Sequence, residues 1–351
     1  MFDRFNRSCC IVAVAATLFI GGCQSPASTS APATLEYWTA DSQVATQFVE
    51  HVSNLCDPAS PKFVPVEDRI AVFDMDGTLV GETYPSYFDW VLFTNRVLHD
   101  KDYKAPAFMK KFARMLEDCW KNGKPLEKGT EKMQAELAFE SFKGMTIDEV
   151  RDYARKFMNT DAEGFNNLKR GDAYFRPMLS LVRFLESKDF KIYIVSGTER
   201  NIVRVLTEDV FKIPSDRIIG SDGVIAASGQ GDKDGLDYVY QPDDKLIYTG
   251  QMISKNVKMN KVPIIAREIG KVPVLSFGNS AGDLSMSQYV TNNTQYEGRA
   301  YILLGDDSKR EHGSEQKVQK LKKYCDEHGF YTISMKDDFA TVYGDNVTLA
   351  K

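Results

Sequence analysis

What most constrains this chain is where its short apolar runs stop. "RIAVFD", "KIYIVSG", "VPVLSFGN" and "AYILLGD" are strand-length hydrophobic runs, each closed by a polar residue or a glycine. Amphipathic patterns lie between them in "PMLSLVRFLES", "RNIVRVLTEDV" and "VPIIAREIG", and "SQVATQFVEHVSNLC" reads as a leading helix. Apolar strands that alternate with helices pack as a parallel sheet covered on both faces. The expected fold is therefore α/β, a Rossmann-like doubly wound parallel sheet. Such sheets bind ligands at the carboxyl ends of their strands, where this chain puts Asp74, Ser196 and Asn279.

One stretch breaks the alternation. "SYFDWVLFTNRVL", "PAFMKKFARMLEDCW", "EKMQAELAFESF" and "TIDEVRDYARKFM" are four helical patterns in succession, with no strand among them. They predict a helical cap over residues 81–171, inserted after the first strand of a core formed by residues 36–80 and 172–351. A cap in that position would act as a lid, excluding water and selecting substrates.

The first strand ends in "DMDGTLVGE", which sets Asp74 and Asp76 two residues apart. Like charges that close drive one another to protonate unless a cation lies between them. The pair therefore calls for something positive between the two acids, or for one of them to carry a proton. Elsewhere the chain is mildly acidic, with formal net charge -5 and no basic stripe interleaved with aromatics, so nucleic acid is not an expected partner.

The amino-terminal segment reads as a processing signal. Arg4 and Arg7 precede "IVAVAATLFIGG", an apolar run too short to span a bilayer, so residues 1–22 are expected to be a signal peptide. "FIGGC" resembles the lipobox of bacterial lipoproteins, in which the cysteine, here Cys23, carries the lipid; an ordinary signal peptide with a chance cysteine is the alternative. Residues 23–35, rich in Ser, Pro and Ala, read as a flexible tether. Gln24 after the cysteine implies the outer membrane, which makes the expected location the bacterial periplasm, anchored by lipid. Cys56, Cys119 and Cys325 remain after processing and allow at most one disulfide; none has metal-ligand spacing.

Four motifs in order, "DMDGT", "VSGT", Lys261 in "NKVPII" and "GNSAGD", give the chain from about Leu35 onward a resemblance to the haloacid dehalogenase superfamily. The nearest part of that superfamily is its phosphatase branch, close to phosphoserine phosphatase. The resemblance implies an Mg²⁺-dependent phosphomonoester hydrolase acting on a small phosphorylated substrate. Asp74 would be the nucleophile and form an aspartyl-phosphate. Asp76 would protonate the leaving oxygen and then activate water. Ser196 and the Gly197 amide would hold phosphoryl oxygens, and Thr78 would support the loop through Asp74 or serve only as a turn residue. For Ser196 the alternative is a helix N-cap. A lysine would neutralise the phosphate; Lys261 fits the pattern best, with Lys258 and then Lys255 as alternatives. Asp74, the Asp76 main-chain carbonyl, Asn279 and Asp283 would hold the metal. Asn279 departs from the aspartate of phosphoserine phosphatase, which implies weaker Mg²⁺ binding.

Substrate choice is expected in the cap. Glu82 falls near the residue that meets the substrate amine in phosphoserine phosphatase; a solvated loop acid is the alternative. Tyr84, Tyr87, Phe88 and Trp90 read as cap packing or as an aromatic wall for a cationic head group, which would suit a phosphorylcholine phosphatase. A lipoprotein of this fold that binds phosphorylated ligands without catalysis is the competing class. Asp306, Asp307 and Arg310 carry no assigned chemistry.

Overall fold

The computed structural model describes residues 35–81 and 84–350. Cys23, with all of the expected signal peptide and nearly all of the tether, and Glu82 lie outside the described residues.

In chain order the elements are α1 (Gln43–Cys56), β1 (Ile70–Phe73), α2 (Phe88–Leu98), α3 (Ala107–Lys121), α4 (Thr130–Ser141), α5 (Ile147–Met158), β2 (Phe165–Asn166) and α6 (Arg176–Glu186). They continue with β3 (Lys191–Glu199), α7 (Arg200–Glu208), β4 (Ile218–Ala227), β5 (Leu246–Ser254), α8 (Lys261–Glu268), β6 (Leu275–Gly278) and α9 (Leu284–Thr291). β7 (Arg299–Leu304), α10 (Glu315–His328), β8 (Tyr331–Ser334), α11 (Met335–Asp338) and β9 (Thr348–Leu349) complete the chain.

Seven strands form one sheet in the order β5-β4-β3-β1-β6-β7-β8. All neighbours are parallel except β4 and β5. The sheet is thus the doubly wound α/β sheet the sequence implies, with an antiparallel strand added at one edge. Residues of β1 alternate between its two faces, as the pleat requires. Ala71 and Phe73 pack with Phe48 and Val52 of α1 and with Met178 and Leu181 of α6. Val72 packs on the opposite face with Ile264 and Ile265 of α8 and with Met286 and Val290 of α9.

The four helices α2–α5 occupy the inserted stretch. α2 and α3 share an apolar cluster of their own that includes Trp90, Phe93, Met109 and Leu116. α5 opens with a capping box in which Thr146 and Glu149 satisfy one another's free backbone donors. Its Val150, Ala154 and Phe157 join the main core, and Arg155 pairs with Glu208 of α7. The chain segments leading into and out of the insertion run together: Gly81 N–H donates to Ala173 O (2.8 Å) and Phe175 N–H to Leu79 O (2.9 Å). Gly77 makes the turn after β1 with φ of 78°, a left-handed conformation that favours glycine.

Candidate active site

β1 and β6 end side by side, and Asp74 N–H donates to Phe277 O (2.9 Å), which fixes Asp74 at their shared end. Lys261, the first residue of α8, reaches that end with its ammonium fully enclosed. Its Nζ donates to Asp74 Oδ1 (2.6 Å) and to Asp283 Oδ1 (2.7 Å). The other Asp283 oxygen, Oδ2, accepts from Asn279 N–H (3.0 Å), Ser280 N–H (3.1 Å) and the Ser280 hydroxyl (3.2 Å). A single buried cation therefore ties the loop after β1 to the loop after β6.

Burial acts on these charges in opposite directions. Burial disfavours the Lys261 ammonium, but the Asp283 and Asp74 carboxylates outweigh it and hold its pKa above the usual lysine range. Asp74 is pushed above the usual carboxylate range, first by burial and then by the Asp283 charge, with Lys261 opposing. Two carboxylates, Asp74 and Asp283, thus meet one ammonium, and Asp76, whose charge adds to the rise at Asp74, is buried as well.

Asp76 is held by the "SGT" stretch near the end of β3. The Thr198 hydroxyl donates to Asp76 Oδ2 (2.9 Å), and the Ser196 hydroxyl lies 3.5 Å from the same oxygen. Thr198 N–H donates to Ser196 Oγ (3.0 Å). Ser196 is not the N-cap of α7; Glu199 is, accepting from Ile202 N–H (2.8 Å), because β3 runs on past the serine before the helix starts. Gly197 faces Val257 so closely that a Cβ would lie 2.6 Å from Val257 Cγ1, which excludes a side chain at that point. Asn256 Nδ2 donates to Ser196 O (3.1 Å), and the Ser221 hydroxyl donates to Gly197 O (2.6 Å). The Thr78 hydroxyl reaches Asn279 Oδ1 (3.4 Å), so its hydrogen bond links the two loops rather than supporting Asp74.

Asp74, Asp76, Thr78, Ser196, Gly197, Lys261, Asn279 and Asp283 are thus brought to one end of the sheet. Of the three candidate lysines, only Lys261 touches Asp74. Lys258 is exposed and pairs with Glu131 (3.0 Å), while Lys255 pairs with Asp89 (3.4 Å). The aromatic run divides among several neighbours. Phe88 packs on Phe157, Tyr84 stacks on the His312 ring, Tyr87 packs on Trp90, and Trp90 is buried between α2 and α3. Cys56, Cys119 and Cys325 are free thiols. Asp306 accepts from the Ser334 hydroxyl, and Arg310 donates to the carbonyls of Met335, Phe339 and Ala340, so this cluster fastens the turn around α11.

Thr198, Asn256 and the Asp89–Lys255 pair were not assigned a role from the sequence. Thr198 stands inside the quoted "VSGT", and its hydroxyl could have been weighed there. The other contacts join residues 60 and 166 positions apart and leave no local signal. A cleft of about 510 Å³ opens beside the site, between Glu131 of α4 and Ile253, Lys255, Val257 and Ile264 of the core.

Among the described residues no group of three or more His, Cys, Asp or Glu is arranged as a metal-binding cluster. The oxygens gathered at the strand ends are nonetheless the donors Mg²⁺ prefers, carboxylates together with a neutral amide oxygen.

Residues 71–288 match the family model described as haloacid dehalogenase-like hydrolase. No curated protein matches. Among solved structures, a Bordetella pertussis protein of unknown function is 17% identical, with 76% of this chain and 97% of that one covered and a TM-score of 0.48. A phosphoserine phosphohydrolase-like protein from Francisella tularensis is 15% identical, covering 76% and 94%, with a TM-score of 0.42. Cytosolic 5'-nucleotidase IIIB bound to cytidine is 13% identical, covering 84% and 85%, with a TM-score of 0.47.

Proposed function

The chain belongs to the haloacid dehalogenase-like hydrolases, and on that premise we propose that it is a phosphomonoester hydrolase working through an aspartyl-phosphate on Asp74. The observation that carries the reading is the Lys261 ammonium bonded to both Asp74 and Asp283 in a buried pocket, with Asp76 alongside. Lys261 takes Asp74 Oδ1, and Oδ2 is the atom that attacks phosphorus. As the phosphorus–oxygen bond to the leaving group breaks, Asp76 gives that oxygen its proton. Asp76, now a carboxylate oriented by Thr198, takes a proton from water as the water displaces Asp74 from phosphorus. Thr78, Ser196, the Gly197 amide and Lys261 form the cradle for the phosphoryl oxygens.

Asp74, the Asp76 carbonyl, Asn279 and Asp283 would hold Mg²⁺, and three carboxylates against one ammonium favour a further cation there. Bound Mg²⁺ would offset the charge that builds on the phosphoryl oxygens. The substrate is a small phosphorylated metabolite that reaches the site from the cleft beside α4, and Glu82 is proposed to read it.

The test is hydrolysis of an aryl phosphate with Mg²⁺, followed by a panel of phosphoserine, phosphorylcholine, nucleotides and sugar phosphates. Asp74→Asn should abolish turnover with the fold retained, and Asp76→Asn should slow it by roughly 10²–10⁴-fold. Normal turnover by Asp74→Asn would end the aspartyl-phosphate reading, and full activity in excess chelator would end the Mg²⁺ reading. Protein that binds phosphate but turns over no ester would be a binding lipoprotein instead.

We also propose that Cys23 carries a lipid and holds the protein in the periplasm at the outer membrane. "FIGGC" and the Ser-, Pro- and Ala-rich stretch after it support this, and among the described residues no helix is long and apolar enough to cross a membrane. Cys23→Ser should move the protein from the membrane fraction to the soluble one with activity unchanged. Wild-type protein recovered soluble with an unmodified Cys23 thiol would overturn it.

A further inference from the structure

Lys255 is one of the two candidate lysines that the catalytic assignments leave unused; the other, Lys258, is exposed and pairs with Glu131. Lys255 follows β5 and lies where two spaces meet. One is the open cleft beside α4; the other is a narrow pocket between the inserted helices and the core, lined by Asp89, Phe139, Gly197, Glu199 and Ser221. Lys255 Cε lies 4.0 Å from the position a Cβ on Gly197 would occupy, so the side chain runs over the end of β3 beside Gly197. Its partner Asp89, in the first turn of α2, is buried, and that burial pushes the carboxyl above its usual range.

The contact of the half-buried Lys255 with Asp89 is slack beside those of the fully buried Lys261 ammonium. Lys255 Nζ to Asp89 Oδ2 is 3.4 Å, whereas Lys261 holds its two carboxylates at 2.6 and 2.7 Å. Charge-assisted N–H···O bonds normally close to about 2.7–2.9 Å, so this pair leaves much of its attraction unused. The flanking residues carry spare hydrogen-bonding capacity too. Ser254 Oγ and Asn256 Oδ1 are both buried without a hydrogen-bond partner.

From these observations we propose that Lys255 is a substrate-binding residue whose ammonium leaves Asp89 for an anionic oxygen of the phosphomonoester when the substrate enters from the cleft. Asp89 is its resident competitor. The exchange would make the anion, rather than Asp89, the link between the core and the site beneath α2. The inference rests on the phosphomonoesterase reading and adds to it a second cation.

Binding of inorganic phosphate by calorimetry and steady-state hydrolysis of an aryl phosphate, both on the full chain with Mg²⁺, test it. Lys255→Met should weaken phosphate binding and raise KM by about ten- to a hundredfold, the usual worth of a charge-assisted hydrogen bond, with a smaller change in kcat. Lys255→Arg should recover part of that loss. Asp89→Asn, nearly isosteric, should do the reverse and tighten phosphate binding severalfold by removing the competitor. Unchanged phosphate affinity in Lys255→Met, or a loss in Asp89→Asn equal to that in Lys255→Met, would overturn the inference and leave a structural clamp. Wild-type protein that neither binds phosphate nor hydrolyses the ester would overturn the phosphatase reading and this one with it.

Discussion

His51, on α1, is 2% exposed, and neither ring nitrogen has a hydrogen-bond partner within range. Burial, then the Arg299 charge, lowers its pKa to about 4, while the Glu297 carboxylate opposes them. A histidine held neutral in the fold gives stability that is complete above its ordinary pKa of about 6.5 and is lost as pH falls from there through 4. Between pH 6.5 and 4.5 the wild type should therefore lose about 2 kcal/mol more than His51→Leu, measured by urea unfolding at each pH. Parallel pH profiles for the two proteins would show that the imidazole is not the source. His51 illustrates what the sequence could not disclose, since a lone histidine on a helix face looks alike whether solvated or sealed. Asp74, Asp76 and Asn279 were legible because a strand end aims its closing residues at the ligand side of the sheet. Lys261 was one of three lysines spaced three apart. Only the packing of α8, with Ile264 and Ile265 buried, turns it inward and leaves Lys258 exposed to meet Glu131.

Among the elements, legibility followed periodicity. α2, α3 and α5 repeat apolar residues at helical spacing, and all four inserted helices form to within a residue of the segments marked for them. β1, β3, β6 and β7 stood out as short, largely apolar runs because most of their residues are buried. The β4–β5 hairpin escaped notice for the converse reason. In β4 the apolar run is broken by "GSDG", and β5 alternates between buried Tyr248 and Gly250 and more exposed neighbours, as an edge strand does. α10 was missed as well: "EQKVQKLKKYCDEH" is mostly charged, and Cys325 is its one fully buried residue. The two-residue strands β2 and β9 are too short to leave any pattern, and they pair across more than 180 residues of chain.

That last pairing matters at the scale of the whole described fold, because the end of the chain returns to the outgoing connection of the inserted helices. On the outgoing side, Leu349 pairs with Phe165, Ala350 N–H donates to Gly164 O (2.8 Å) and Asn167 Nδ2 donates to Asn346 O (3.0 Å). A His312 ring nitrogen also lies 3.0 Å from Gly164 O. On the incoming side the His312 ring stacks on Tyr84, 4.4 Å between centroids. His312 thus bears on both hinges about which a cap of this kind would move, and the terminal residues bear on the outgoing one. Local unfolding follows such divisions, since segments with little buried apolar area open well below the global free energy. Removing residues 344–351 should therefore speed amide hydrogen exchange around residues 160–170 while leaving β1 and β6 as protected as before. The melting temperature should fall by only a few degrees, because Val347 and Leu349 pack against the main core from outside and are only partly buried. If the truncated chain exchanged at wild-type rates around Gly164 and Phe165, the terminal strap would not be what holds that hinge. Loss of protection in β1 and β6 as well would mean instead that the strap and the sheet unfold as one cooperative unit.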